Sequence, residues 1–412
     1  MRLTAYYAAI YDQGEAALII VRRTGDEVVE RSRVPAPLCD CQIFDRLTDR
    51  RPDVFVWQGD LNYPDTHGPL AQTASSYAGI WRDFLSNPRI RPVLDSGCFV
   101  AARDDHDYGV QDAHSENLKP FGLAPWEALM DGGDYHRFTA GLAEVWVLDQ
   151  RRFKTPPGQP DSQAKTLLGD RQRRWLLDTL SASRAPFKVI CSPCTLSPTR
   201  SENARDGNWS AGYTAERDLL LGHIKRKVTG TTIFITGDTH YTMVYDRDGL
   251  FEARPCPLDI PTPNDITLVD PLAAQELRGR PGVVYAEDRL GHFAHLRVAG
   301  VGQTARLDLT LVRQDGAAGY SRSFEERIPG SPRHLNAGPQ RGAGGREDIG
   351  GRGDIGGRGI RRRLVGAHGD GGPGGSSGLP FTGSRPMVVA LAGALLAATG
   401  AVARGLGAGR RQ

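Results

Sequence analysis

Apolar residues in this chain gather into short runs, and four of those runs stop at an acidic or acid–histidine cluster. Val54-Phe55-Val56-Trp57 precedes Gly59-Asp60, and Phe99-Val100-Ala101-Ala102 precedes Asp104-Asp105-His106-Asp107. Val145-Trp146-Val147-Leu148 precedes Asp149, and Thr232-Ile233-Phe234-Ile235 precedes Gly237-Asp238-Thr239-His240. Runs this short, apolar throughout and bounded by turn residues, predict strands buried on both faces. In open α/β sheets the ligand crevice lies beyond the carboxyl ends of such strands, so these polar clusters are expected to converge.

Between about Pro35 and Pro329 the strand-like runs alternate with helix-like ones. Residues 169–180 place Trp175, Leu176, Leu177 and Leu180 mostly on one side of a helix, and a strand from Phe187 to Ile190 follows. A second helix is predicted from Ala215 to Lys227, with Leu219, Leu220 and Ile224 facing inward. After Asp238 the pattern becomes alternating, as in Ala305–Val312 with Leu307, Leu309 and Leu311 on one face. The expected body is therefore α/β, with αβ units first and a more antiparallel portion after them.

The 412 residues, 39 % apolar and 24 % charged, suffice for one large domain with appendages. A net charge of +3, with much of the basic excess in the last third, argues against a nucleic-acid partner for the body. The six cysteines (Cys39, Cys41, Cys98, Cys191, Cys194, Cys256) are too few for a disulfide scaffold. Cys191 with Cys194 is the first pair to suspect of bridging. At the amino terminus Asp12 and Glu15 interrupt the apolar run before it reaches the length of a signal peptide.

Residues 1–34 read as a stub of uncertain fold, and 330–378, dominated by Gly, Arg, Pro and Ser, as a disordered linker. Leu379-Pro380-Phe381-Thr382-Gly383 follows, then an uncharged run over 387–403 and a basic end with Arg404, Arg410 and Arg411. An apolar stretch near the short end of membrane-spanning length, ahead of positive charges, predicts a transmembrane segment with the basic tail inside. The order resembles the L-P-x-T-G cell-wall sorting signal of Gram-positive bacteria, in residues 379–412. That resemblance implies a sortase acting between Thr382 and Gly383, attachment to peptidoglycan, and an extracellular, wall- or membrane-anchored protein. Sorting requires export, so the natural product is expected to begin further upstream.

Carboxylates brought together repel one another and take up protons unless a cation neutralises them. Carboxylates plus histidine form an oxygen- and nitrogen-rich donor set, which points to a metal-dependent hydrolase. A Gly at a strand end lets the backbone turn sharply so that the next Asp projects over the sheet edge, as in Gly59-Asp60 and Gly237-Asp238. If Asp238-Thr239-His240 stays extended, its carboxylate and imidazole lie on one side.

These motifs together resemble the alkaline phosphatase D (PhoD-like) family of metallophosphoesterases. The G-D-x-x-Y loop is present as Gly59, Asp60 and Tyr63, the D-D-H-[DE] segment as Asp104–Asp107, and the G-D-x-H segment as Gly237, Asp238 and His240. Secondary matches are Leu148-Asp149-Gln150-Arg151, Gly169 through Gln172 to Trp175, and Trp209 followed by Tyr213, Glu216 and Arg217. The resemblance implies a four-layer αββα sandwich over 35–329, with two mixed sheets and the site at the strand ends. It further implies a metal cluster, Fe3+ with Ca2+ or else Mn2+ or Zn2+, with Asp60 bridging and Tyr63, Asp238 and His240 as ligands. Either Cys39 or Cys41 would complete the iron site. Gln111 stands where many members carry a ligating Asn, with Asp112 or His114 as substitutes. The implied reaction is attack on a phosphomonoester or phosphodiester by metal-activated hydroxide. His106 would protonate the leaving oxygen or hold substrate, and Arg103 or Arg151 would contact the phosphoryl group. His292 and His295 are expected to be structural. The rival reading is a surface-binding protein that keeps the fold without turnover.

Overall fold

The computed structural model describes residues 4–12, 15–24, 27–35, 42–61, 73–129, 134–199, 207–258, 273–288, 290–330 and 387–392. Cys39, Cys41, Tyr63, residues 331–386 with the L-P-x-T-G run, and 393–412 lie outside that set. The first elements are β1 (Thr4–Asp12), β2 (Glu15–Thr24) and β3 (Glu27–Pro35), which form a three-stranded antiparallel sheet of their own. Next come α1 (Gln42–Arg50), β4 (Val54–Gln58), α2 (Ala74–Leu85), α3 (Arg91–Ser96), β5 (Cys98–Ala102) and α4 (Pro120–Leu129). The middle of the chain supplies β6 (His136–Ala140), β7 (Ala143–Val147), α5 (Gly169–Ala182), β8 (Phe187–Ser192), α6 (Thr214–Lys227) and β9 (Thr231–Thr236). The antiparallel portion is β10 (Thr242–Arg247), β11 (Leu250–Arg254), α7 (Ala273–Leu277), β12 (Val283–Glu287), β13 (His292–Val301), β14 (Thr304–Arg313) and β15 (Ala318–Arg327), and β16 (Met387–Ala392) follows.

Two sheets hold the body, one ordered β12-β10-β11-β9-β8-β7-β6 and the other β15-β14-β13-β16-β4-β5. Period-two alternation divides each apolar run between two layers. Val54 and Val56 of β4, Val145 and Val147 of β7, Val189 of β8, and Ile233 and Ile235 of β9 face the space between the sheets, where Leu307, Leu309 and Leu311 of β14 meet them. Phe55 and Trp57 turn the other way onto Phe44 of α1 and Trp81 of α2. Trp146, Ile190 and Phe234 likewise turn outward onto Leu176 and Leu180 of α5 and Leu220 of α6. The result is helices, sheet, sheet, helices. At roughly 1.5–3 kcal/mol per fully buried apolar side chain, these layers, and not the polar groups at the strand ends, hold the strands in register.

Four details depart from the sequence reading. β5 is an edge strand and only half-buried, because among the described residues no strand flanks it on its outer side. Leu219 of α6 is 39 % exposed while Leu220 is buried, since the helix turns the former off the sheet. Cys191 and Cys194 are both free thiols: Cys191 points between the sheets and Cys194 into the outer layer, so the sheet itself separates them. The fourth concerns the expected membrane-spanning run 387–403, whose first six residues form β16, antiparallel to β13 and parallel to β4. A short uncharged run serves equally as a buried strand or as part of a membrane helix, and periodicity does not separate the two. Among the described residues no helix is long and apolar enough to cross a membrane.

Candidate metal centre

The segments that follow β4, β5, β7 and β9 come together at their polar ends. Two trios of side chains each bring donor atoms within 4.8 Å of one another: Asp60, Asp105 and His106, and Asp104, Asp105 and Asp238. Asp105 belongs to both. The four of these five residues that come from the β4 and β5 loops are nearly sealed from solvent, His106 at 6 % exposure and Asp60, Asp104 and Asp105 at 1–2 %.

Local sequence explains how two loops approach so closely. Gly59 has a φ of +87°, and a Cβ there would fall 2.4 Å from Cβ of Asp104, so any side chain would drive the β4 and β5 loops apart. Asp107 then ties the loops together, accepting the backbone N–H groups of Asp60 at 2.7 Å, Leu61 at 3.0 Å and Asp104 at 2.9 Å. Asp60, Asp238 and His240 all sit at positive φ (57°, 69° and 54°), a conformation uncommon for non-glycine residues and concentrated at functional sites. At the β9 loop the left-handed turn falls on Asp238 and His240 rather than on Gly237, which has ordinary space around it. That segment is therefore not extended, contrary to the expectation that placed Asp238 and His240 side by side.

The electrostatics are those of a cluster short of positive charge. Burial first, then the Asp105 and Asp104 carboxylates, push Asp60 well above the ordinary carboxylate range. Burial also raises Asp104, against the pull of Arg151. Asp107 is raised to about 7 by burial, opposed by the three N–H groups it accepts. Asp105 goes the other way: burial would raise it, but Arg151, His106 and the Asp112 N–H hold it below its usual range. Burial and then the neighbouring His106 lower His240 to about 4, so its ring is neutral and able to ligate at neutral pH. Oδ2 of Asp104 is buried without a hydrogen-bond partner in the described structure. A buried orphan oxygen among carboxylates that favour protonation, with imidazole nitrogen alongside, fits a divalent or trivalent cation.

The expected site residues divide accordingly. Asp60, His106 and Asp238 are in the trios; His240 neighbours His106 and Asp105 without joining either trio. Gln111 is exposed at the rim, its amide nitrogen 3.4 Å from Asp105 Oδ2 and 3.0 Å from Asp112 Oδ1. The substitutes differ: Asp112 donates its backbone N–H to Asp105 at 2.7 Å, whereas His114 bonds through its backbone to Asn117. Arg103 and Arg151, expected at the phosphoryl group, are buried in ion pairs instead. Arg103 bonds Asp134 and lies 3.5 Å from Asp149, with its guanidinium over Tyr108. Arg151 bonds Asp104 and, at 2.8 Å, Asp238. A guanidinium deep in a carboxylate cluster neutralises it before it can reach outward. His292, satisfied by Leu290 O and Tyr285 OH, and His295, beside Arg50 and Arg297, stand apart from the trios.

Sequence reasoning had singled out the D-D-H-D segment but only His106 within it, whereas Asp104 and Asp105 do as much to build the cluster. Cys256 carried no sequence signal at all. It is buried with Asp238 and Asp60 among its charged neighbours and accepts the backbone N–H of His240, and burial raises its thiol.

Comparison with known proteins bears on the family and the fold. The PhoD-like phosphatase family (PhoD) matches residues 119–256, a segment that holds Asp149, Arg151, Asp238, His240 and Cys256. Alkaline phosphatase D of Bacillus subtilis (strain 168) is 30 % identical over 218 residues, which are 47 % of this chain and 35 % of that protein. The chain thus spans about a third of the length of that curated relative. Among solved structures, one described as the structure of PhoD superposes with a TM-score of 0.53 at 16 % identity, covering 76 % of each chain. At that identity the likeness is one of fold. By sequence over 119–256 and by fold over most of its length, the chain is similar to the PhoD-like phosphatases.

Proposed function

We propose that this chain is a metal-dependent phosphoric ester hydrolase acting on phosphomonoesters or phosphodiesters. The supporting observation is the convergence of Asp60, Asp104, Asp105, His106 and Asp238 at buried strand ends, in a chain whose residues 119–256 match a phosphatase family. Asp60, Asp105 and His106 would hold one cation, and Asp238 and His240 flank it. Tyr63 and one of Cys39 and Cys41 would join if that cation is Fe3+, because phenolate and thiolate suit a ferric ion; Ca2+, Mn2+ or Zn2+ would rest on the carboxylates and Gln111. When bound, such ions supply Lewis acidity to a phosphoryl oxygen and lower the pKa of water. The protein's own part is positioning. Asp107 fixes the loop that bears Asp60, and the near-complete burial of the carboxylates excludes bulk water. His106, the most exposed member of its trio, would either complete that cation site or, left unligated, hand a proton from its ring to the leaving oxygen. Arg152, 35 % exposed, shares the Asp134 carboxylate with the buried Arg103.

The same proposal extends to location: export, sortase cleavage after Thr382 and attachment to peptidoglycan outside the cell. Mass analysis after sortase treatment would show loss of residues 383–412 if the signal is used. Function is tested with chromogenic phosphomonoester and phosphodiester substrates, on the full chain, with elemental analysis of the same sample. Turnover with bound metal upholds the reading; an empty, inactive protein after refolding with metals favours a binding protein on this fold.

A further inference from the structure

The two trios are unlike in one respect. Asp104, Asp105 and Asp238 surround the guanidinium of Arg151, whose Nε donates to Asp104 Oδ1, whose Nη2 donates to Asp238 Oδ1 at 2.8 Å, and whose Nη2 also lies 3.7 Å from Asp105 Oδ1. Arg151 is completely buried. We propose that Arg151 is a built-in counter-cation for this half of the cluster, occupying the place a second metal ion would take among Asp104, Asp105 and Asp238. The proposal rests on reading the Asp60–Asp105–His106 half as a cation site.

Charge and space both favour it. A guanidinium stays protonated under any condition in which the protein is folded, and its planar fork meets two carboxylates at once. A divalent ion in the same trio would need oxygens at about 2.0–2.6 Å. The nitrogens of Arg151 already bond Oδ1 of Asp104 and Oδ1 of Asp238, so the guanidinium and an ion on those same oxygens exclude each other.

The stalk that carries Arg151 is also fixed. Its backbone N–H donates to Asp149 Oδ1 at 3.1 Å, and Asp149 accepts the Tyr108 hydroxyl as well. Gln172 of α5 brackets the Asp149 backbone, accepting its N–H at 3.0 Å and donating to its C=O at 2.6 Å. Swinging the guanidinium outward would break its bonds to Asp104 and Asp238 and leave the two carboxylates without that cation. Arg151 is thus a positioning residue: it holds the two carboxylates ready and leaves the Asp60 half as the part that exchanges metal.

Mn2+ stoichiometry of the full chain, stripped with chelator and then reloaded, tests this by equilibrium dialysis and elemental analysis. Arg151→Met should bind one more equivalent of Mn2+ than the wild type, while Arg151→Lys, which keeps the charge, should not. Arg151→Gln, which keeps a polar side chain but not the charge, should also bind one more equivalent than the wild type. A folded Arg151→Met or Arg151→Gln variant with the wild-type count, or an Arg151→Lys variant that gains an equivalent, overturns the proposal. If neither neutral variant folds, the wild-type count decides alone, because more than one equivalent bound at this cluster overturns the proposal. Asp60→Asn separates this question from the underlying one: if it removes bound Mn2+, the Asp60 half is a cation site whichever way the Arg151 result falls.

Discussion

Two groups of charged side chains are buried to almost the same depth in this molecule, and only one is short of counter-charge. Glu252 and Arg254 on β11 are completely buried, yet both carboxylate oxygens and both terminal guanidinium nitrogens are answered, leaving only Nε of Arg254 without a partner in the described structure. Glu252 accepts from the N–H groups of Leu196 and Ser197, the Thr236 hydroxyl and Arg254, and Arg254 reaches Ser197 Oγ and the Tyr241 hydroxyl. The cluster at the strand ends gathers Asp60, Asp104, Asp105, Asp107 and Asp238 around His106 and the single guanidinium of Arg151. Depth of burial therefore does not distinguish structure from function here. The imbalance does, because an unmatched set of carboxylates is stable only when protonated or when something positive arrives.

The largest break in the comparison should come from Asp60→Ala, which removes a member of the metal trio. Metal content and hydrolysis should both be lost, by more than the 10–100-fold that losing an outer partner of a ligand typically costs. Activity that survived would place the site elsewhere. Glu252→Ala should instead act on the fold, leaving Arg254 buried without its partner and destabilising the protein by about 3–5 kcal/mol in denaturant unfolding. Metal bound per folded molecule should not change.

Asp107→Ala tests the link between the loops. It removes the acceptor of three N–H groups without removing a trio member, so Mn2+ affinity should fall by roughly 10–100-fold. Unchanged affinity would mean that the loops hold their places without it.

The smallest effect concerns pH. Asp60, Asp104 and Asp107 have folded-state pKa values raised above their unfolded ones, Asp107 to about 7. Raised carboxyls favour folding when protonated, and that contribution is lost as pH rises through the folded-state value. Asp105, which is lowered, has the opposite sign, but its contribution is lost only in strong acid. The thermal midpoint of metal-free protein should thus decline as pH climbs from the ordinary carboxylate range through about 7, and a saturating divalent cation should flatten the decline. A metal-free midpoint that rose over that interval would contradict the unbalanced-charge account.

Much of this was legible in the chain itself. Runs such as Val54–Trp57 and Ile233–Ile235 determined which segments become strands and, through period-two alternation, which residues enter which layer. Their acidic ends determined where chemistry would gather, because a carboxylate after a buried strand has nowhere to point except past the sheet edge. Tertiary structure decided what spacing cannot encode. It made Asp105 common to both trios and turned Arg151 inward, since the partners of each come from segments far apart in sequence. It also placed the left-handed backbone on Asp238 and His240 instead of Gly237. Finally, it drew Met387–Ala392 into a sheet between β13 and β4, because an apolar hexapeptide carries no record of the strands it will pair with.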